Sequence, residues 1–500
     1  MEYFPEIKKG KFRYYDPEKE VGGKKLRDWT RFSLALWHFF GEGTDPFGAG
    51  TAVRPWAEPD KVRKQVEAAF EFAGKLSIEH YAFHDLDVIP PTAKISDIER
   101  GLDQAVPLLR ANAEKTGVKL LWGTANLFRD PLYAHGAATS PYPEVFARAA
   151  AQVKKMLDVT LELGGENFVI WPGREGYDTL LNTDLKRGIE LFGSFLSAVA
   201  DYADEIGFKG QLLIEPKPME PMKLMYVSDV MSLWALLQHY GLVGKFKANI
   251  EANHATLANK SFQHELRLAR SFGLLGSIDA NQGDFLVGWD VDRFPTDLYD
   301  ATLAAYEVIK NGGIAPGGFN FDAKVRRGSF ETNDLAYAYQ AGMDTIARGF
   351  EVAGALVRDR ALDGFLEERY AGYDGEIGKR IEGGKASLKE LEEYALKNEE
   401  VKVKSGRQEY LEDLLNAYIT GAKRKRTFSP NRRHQIANRP ASYTSASRSK
   451  DRARSLRTAE ALERFGFPRG GCVGLRGHNS DRTGPTLAKY TRADKLAIKR

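Results

Sequence analysis

The sequence predicts a (β/α)8 barrel, the TIM-barrel fold, with a C-terminal helical arm. Three observations carry that expectation. Short apolar runs alternate with stretches of helical periodicity over residues 1–352. A strand that returns parallel to its predecessor needs a crossover, and a helix supplies it. Polar residues also gather at the C-terminal end of the runs, where barrels of this kind carry their active sites. A doubly wound open sheet is the alternative. It ranks lower because polar residues at every strand end suit a closed ring that converges on one point. No G-x-G-x-x-G follows the first strand, and no Walker A motif occurs.

The elements follow in order. After a polar, aromatic-rich N-terminal stretch, Phe32 to Trp37 reads as the first strand. A loop holding Asp45, Pro46 and Phe47 leads to an amphipathic helix over 58–74, with Val62, Val66, Phe70 and Phe72 set among charges. Leu76 to Phe83 is the second strand and ends on His84 and Asp85, with Asp87 just beyond. A helix over about 95–115 precedes the third strand, Val118 to Trp122, which ends near Thr124 and Asn126. Another near 143–163 leads to Asn167–Trp171, the fourth, and then to the run Gly173-Arg174-Glu175-Gly176-Tyr177. The helix near 183–206 precedes Gln211 to Ile214, which ends in Glu215-Pro216-Lys217-Pro218. The sixth strand, marked by Phe246, Ala248 and Ile250, runs into Glu251 and His254. Leu274 to Ile278 ends in Asp279, and Gly318 to Phe321 ends in Asp322. Helices near 229–240, 261–272, 297–311 and 334–352 complete the alternation. Residues 353–420 are helical and charged without further strand units, and read as an oligomerisation arm.

Composition divides the chain. Residues 421–500 hold 21 Lys+Arg and 5 Asp+Glu, a net +16, so the remaining 420 carry −12 of the overall +4. The body is therefore acidic, and a nucleic-acid role argued from overall charge would rest on the tail alone. The tail contains Lys423-Arg424-Lys425-Arg426 and scattered arginines without helical period, a composition that predicts disorder. It reads either as a polyanion-binding appendage or, preferably, as out-of-frame sequence, because it adds an abrupt charge reversal to a complete body. Nucleic-acid contact is expected only as nonspecific tail binding. One cysteine, Cys472, excludes an intrachain disulfide framework and fits a reducing, cytoplasmic setting. No apolar run spans a membrane, and the N-terminus lacks a signal-peptide pattern.

The chemistry is concentrated at the strand ends. Glu215, Glu251, Asp279 and Asp322 directly follow apolar runs, and Asp290, Asp292 and His254 lie in nearby loops. A carboxylate buried at a strand end is costly unless a positive partner meets it. Hard divalent cations prefer oxygen donors, and one histidine among them admits Mg2+ while also suiting Mn2+ or Co2+. The acids exceed what one ion can use, so two ions sharing a bridging Glu is the economical reading. Asp290 and Asp292, two residues apart, face one side if their loop is extended. Lys217 can stabilise negative charge on a substrate oxygen, or pair structurally with Glu215. His84 and Asp87 form a candidate proton-transfer pair. Trp37, Trp171 and Phe47 are candidate walls against a sugar, or plain core.

These motifs together resemble the xylose isomerases, specifically their longer class. The resemblance rests on His84-Asp85-Leu86-Asp87, on Trp122 to Phe128, on Gly173 to Tyr177, on Ile214 to Pro218, on Asn249 to Leu257 and on Asn320 to Lys324, and covers about residues 1–420. It implies a metal-dependent aldose–ketose isomerase interconverting D-xylose and D-xylulose by ring opening and a 1,2-hydride shift, with D-glucose to D-fructose as a side activity. It implies one metal on Glu215, Glu251, Asp279 and Asp322, and a second on Glu251, His254, Asp290 and Asp292. His84, supported by Asp87, would assist ring opening, and Lys217 would contact O1. Thr124 and Trp171 would hold the open chain, and Trp37 would line the pocket. Phe47 would reach a neighbouring subunit's site in a homotetramer. The chain departs from the family pattern at Pro172, at Met222 to Tyr226 and at Asn259-Lys260, none of which removes an implied ligand. Another divalent-metal barrel enzyme, such as a sugar epimerase, is the second reading.

Overall fold

The computed structural model describes residues 2–422 apart from 8, 9, 46, 57–59 and 93, so the expectations for the basic tail beyond Ala422 lie outside the described residues. Eight parallel strands close into a barrel. They are β1 (Ser33–Ala35), β2 (His80–His84), β3 (Lys119–Thr124), β4 (Asn167–Ile170), β5 (Gln211–Ile214), β6 (Phe246–Glu251), β7 (Leu275–Asp279) and β8 (Phe319–Phe321). The ring closes where Asn320 and Phe321 of β8 register with Ser33 and Leu34 of β1.

Helices cover the outside, because each strand face that leaves the barrel is apolar. On β2, Tyr81 and Phe83 point outward and Phe70 of helix Lys61–Leu76 packs on Tyr81 at 4.9 Å. Alternation turns Ala82 and His84 inward. The same two-residue step repeats around the ring. It stacks Trp122, Val169 and Leu213, with Ala82, into an apolar cluster against which Trp37 packs. Thr124, Trp171 and Glu215 stand one step above them. On the other side the inner layer is polar, with buried Asn249, Ser277 and Asn320 beneath Glu251, Asp279 and Asp322. The barrel thus has an apolar half and a polar half, and the carboxylates stand mainly over the polar one.

The first two strands differ most from expectation. The first ends at Ala35, and helix Leu36–Phe39 begins at once, so Trp37 lies on a helical turn rather than in a strand. The second begins at His80, because helix Lys61–Leu76 runs further than expected and Ser77 takes a left-handed conformation with φ of 56°. The last barrel helix, Thr332–Arg358, crosses residue 352 unbroken. Beyond it lie Asp363–Tyr370, Glu376–Glu382, Leu388–Lys397 and Gln408–Thr420. This arm leaves Leu366, Leu396, Val401 and Val403 exposed.

Two of the segments that depart from the family pattern meet each other. Gly176–Tyr177 pairs antiparallel with Leu224–Met225. The Glu175 N–H donates to the Pro172 carbonyl at 3.0 Å and closes the turn that carries the proline, while its carbonyl accepts from the Tyr226 N–H at 3.0 Å. The Glu175 carboxylate is buried and accepts from the N–H groups of Ala137, Ala138 and Thr139, and from the Thr139 hydroxyl.

Candidate metal centre

Four strand ends bring Glu215, Glu251, Asp279 and Asp322 together, with one oxygen of each within 4.8 Å of the others. Glu251, Asp290 and Asp292 form a second such group, and Glu215, Glu251 and His254 a third. Glu251 belongs to all three. His254 sits on the short helix Ala252–Leu257 that follows β6 directly. Its Nε2 lies 2.8 Å from Glu251 and 3.2 Å from Asp290, and its Nδ1 faces the Pro216 carbonyl at 3.1 Å.

Asparagines hold the carboxylates in place. Asn249 donates to both Glu215 and Asp279, at 2.9 and 2.8 Å. Asn320 donates to the other oxygen of Asp279 at 2.9 Å. Asn281 donates to Glu251 at 2.7 Å and to the Asp322 carbonyl at 3.0 Å. Asp292 has a left-handed φ of 44°, and three contacts hold it there. Lys324 pairs with its carboxylate at 2.9 Å, while the Lys324 amide and Arg326 both donate to its carbonyl.

The electrostatics are those of a site built for a cation. Burial, then the charges of Asp290, Asp322 and Asp292, push Glu251 well above the usual carboxylate range, with Lys217 opposing. Burial, then Glu215 and Asp322, do the same to Asp279. Glu215 is also raised well above it by burial, which the nearby His254 only partly offsets. Asp292 is pushed up to about 7 by burial and then by Asp290, against Lys324 and His38. Burial raises Asp290 too, but Lys217 and then His254 outweigh it and hold this carboxyl well below its ordinary value. A divalent cation would replace this mutual repulsion with attraction, since it becomes the largest local charge. Asp290 Oδ1 and Asn249 Oδ1 are buried without a hydrogen-bond partner, which fits a site completed by an ion. Oxygen donors with one imidazole suit Mg2+, Mn2+ or Co2+.

The other expected residues surround this centre. The amide of His84 donates to Asp87 at 2.7 Å, and its Nδ1 lies 3.2 Å from the same oxygen. Burial lowers the imidazole's affinity for a proton, yet Asp87 outweighs it and the His84 pKa is raised. Trp37 stands edge-on to His84 at 4.6 Å and donates from Nε1 to Asp322 at 2.8 Å. Thr124 is buried at the end of β3. The Trp171 ring meets Phe128 at 4.5 Å, and its Nε1 is buried without a partner. Lys217 pairs with Asp290 at 2.6 Å, rather than with Glu215, and lies 5.3 Å over the Trp171 ring. Phe47 is 81% exposed and touches Trp289 edge-on at 5.8 Å.

One participant was not expected. His38 contacts Asp322 at 2.6 Å and Asp292 at 3.5 Å. Burial raises the Asp322 carboxyl, but His38 and then Trp37 outweigh it, leaving the pKa lowered. The only signal for His38 in the sequence was its position beside Trp37.

A closed parallel barrel with acids and a histidine converging at its C-terminal mouth defines a (β/α)8 protein equipped to hold divalent metal. Comparison with known proteins then gives the family. A model described as the xylose isomerase-like TIM barrel matches residues 97–282, and one described as the XylA2 C-terminal domain matches 366–419. A xylose isomerase of Thermotoga petrophila is 54% identical over 435 residues, covering 84% of this chain and 98% of that one. One of Geobacillus stearothermophilus is 54% identical over 412 residues, covering 82% and 93%. The chain belongs to the xylose isomerase family.

Proposed function

We infer that the protein interconverts D-xylose and D-xylulose using two divalent cations, with D-glucose and D-fructose as a slower pair. The observation that carries this reading is the sharing of Glu251 between two groups of buried carboxylates, in a chain more than half identical to xylose isomerases. Glu215, Glu251, Asp279 and Asp322 would hold one ion, and Glu251, His254, Asp290 and Asp292 the other. When bound, such ions polarise the sugar's oxygens as Lewis acids. His84, with Nδ1 engaged by Asp87, presents Nε2 as the nitrogen that moves the proton in ring opening. Lys217 carries positive charge beside the O1 position, where its ion pair with Asp290 fixes its aim. Thr124, Trp171 and Trp37 line the open chain. The reaction balances within the sugar: a hydride passes from C2 to C1, and a proton passes from O2 to O1.

Phe47 and the apolar side chains of the C-terminal arm support a homotetramer in which Phe47 completes a neighbour's site. Light scattering checks that assembly. Among the described residues no helix is long and apolar enough to cross a membrane, and we place the enzyme in the cytoplasm. The functional test is xylulose formation by wild type and Glu251→Ala, with and without added Mg2+ or Mn2+. Metal-dependent turnover that the variant loses supports the reading. A C3 epimer as product, or turnover indifferent to metal, overturns it.

A further inference from the structure

We propose that His38 is a positioning residue that ties the two carboxylate groups together across the seam where the barrel closes. The inference rests on the reading that those groups hold cations. The seam lies between β8 and β1, and Asp322 follows β8 directly. β1 is only three residues long. The helix that starts at Leu36 therefore brings consecutive side chains, Trp37 and His38, over the end of β8. Both meet the same atom: Trp37 Nε1 lies 2.8 Å, and His38 Nε2 2.6 Å, from Asp322 Oδ1. That oxygen is thereby committed to the protein, and the carboxylate plane is fixed.

His38 then reaches further than Trp37. Its Nε2 lies 3.5 Å from Asp292 Oδ2, the oxygen that Lys324 also contacts at 2.9 Å. Asp322 is a member of the group with Glu215, Glu251 and Asp279, and Asp292 is a member of the group with Glu251 and Asp290. Glu251 links the two groups from one side of the mouth, and His38 links them from the other. Partners of this kind set ligand orientation, and their loss weakens metal binding about 10- to 100-fold. Linked in this way, the loss falls on both sites at once, whereas a residue that merely packs one ligand would affect a single site.

The test uses the full chain stripped of metal and titrated with Co2+, followed by visible absorption, with the melting temperature of each metal-free protein measured alongside. His38→Ala should weaken both binding steps about 10- to 100-fold. His38→Gln, which keeps an N–H donor at similar reach, should recover most of that loss, and it serves as the readout if the alanine variant folds poorly. Unchanged affinity in His38→Ala, weakening of one step alone, or a glutamine variant no better than alanine would overturn the inference while leaving the metal reading intact. Wild type that binds no Co2+ would overturn the metal reading, and this inference with it.

Discussion

Glu251 is almost fully buried, is surrounded by other acids, and is raised well above its ordinary pKa. Such a group makes the metal-free protein pH-dependent in a definite direction. A carboxyl with a raised folded pKa binds its proton more tightly when folded, so stability falls as pH rises from the unfolded pKa toward the folded one. Glu215, Glu251, Asp279 and Asp292 all act in this sense, and Asp292 places the window between about 4 and about 7. Asp290 and Asp322 are lowered, so from about pH 5 upward they are ionised in both states and add little slope. His80, at the opposite mouth, is depressed to about 3 by burial and then by Arg31, and works the other way. Comparing samples with and without metal removes its contribution. The rise in melting temperature caused by saturating Mg2+ should therefore grow from pH 5 to pH 7, and Asp292→Asn should flatten that growth. Scanning calorimetry at several pH values checks it, and a rise that is independent of pH would contradict the electrostatic account. At the same scale, Asp87→Asn removes the charge that holds the His84 pKa up. Turnover should fall by less than about 100-fold, the lower bound for losing a general acid–base group itself, and the acid limb of the rate profile should move to lower pH.

Elements explain which residues the sequence could reveal. Glu215, Glu251, Asp279 and Asp322 were legible because each follows an apolar run, and a strand end in a barrel points to the mouth. Their order along the chain gave the ring without any knowledge of pairing. His38 was not legible. A strand carried through Trp37 would have turned its neighbour to the opposite face, whereas the helical turn beginning at Leu36 brings both to one oxygen. The partner of Lys217 was hidden too, because Asp290 is 73 residues away in sequence and only folding brings them together. Asn281 shows the same limit. It follows β7 by two residues and looks like an ordinary loop polar group, yet it bonds Glu251, the Asp322 carbonyl and the Asn253 amide. It thereby joins β6, β7 and β8. Asn281→Ala leaves buried acceptors without a donor, which costs about 1–3 kcal/mol. Urea unfolding of the metal-free protein should show that loss, and a midpoint equal to wild type would mean that water replaces the amide.

The whole molecule joins an acidic, family-typical body to a strongly basic end. Residues 421–500 carry +16 against −12 for the rest. The family matches lead to the same separation: the C-terminal-domain model ends at residue 419, and the final described helix ends at Thr420. Helix Gln408–Thr420 buries Leu414 and Leu415, and Arg348 reaches the Ile419 carbonyl, so this helix belongs to the packed body. Truncation after Ala422 should accordingly leave turnover within about two-fold of the full chain, the melting temperature unchanged, and retention on heparin lost, since that retention is a counterion-release effect of the basic residues. Truncation before Gln408 should instead lower the melting temperature, because it removes the buried leucines. Parallel measurement of xylulose formation, melting and heparin elution on the two truncations distinguishes these cases. A shorter tail that reduced turnover ten-fold would show that the basic segment acts on the barrel rather than trailing from it.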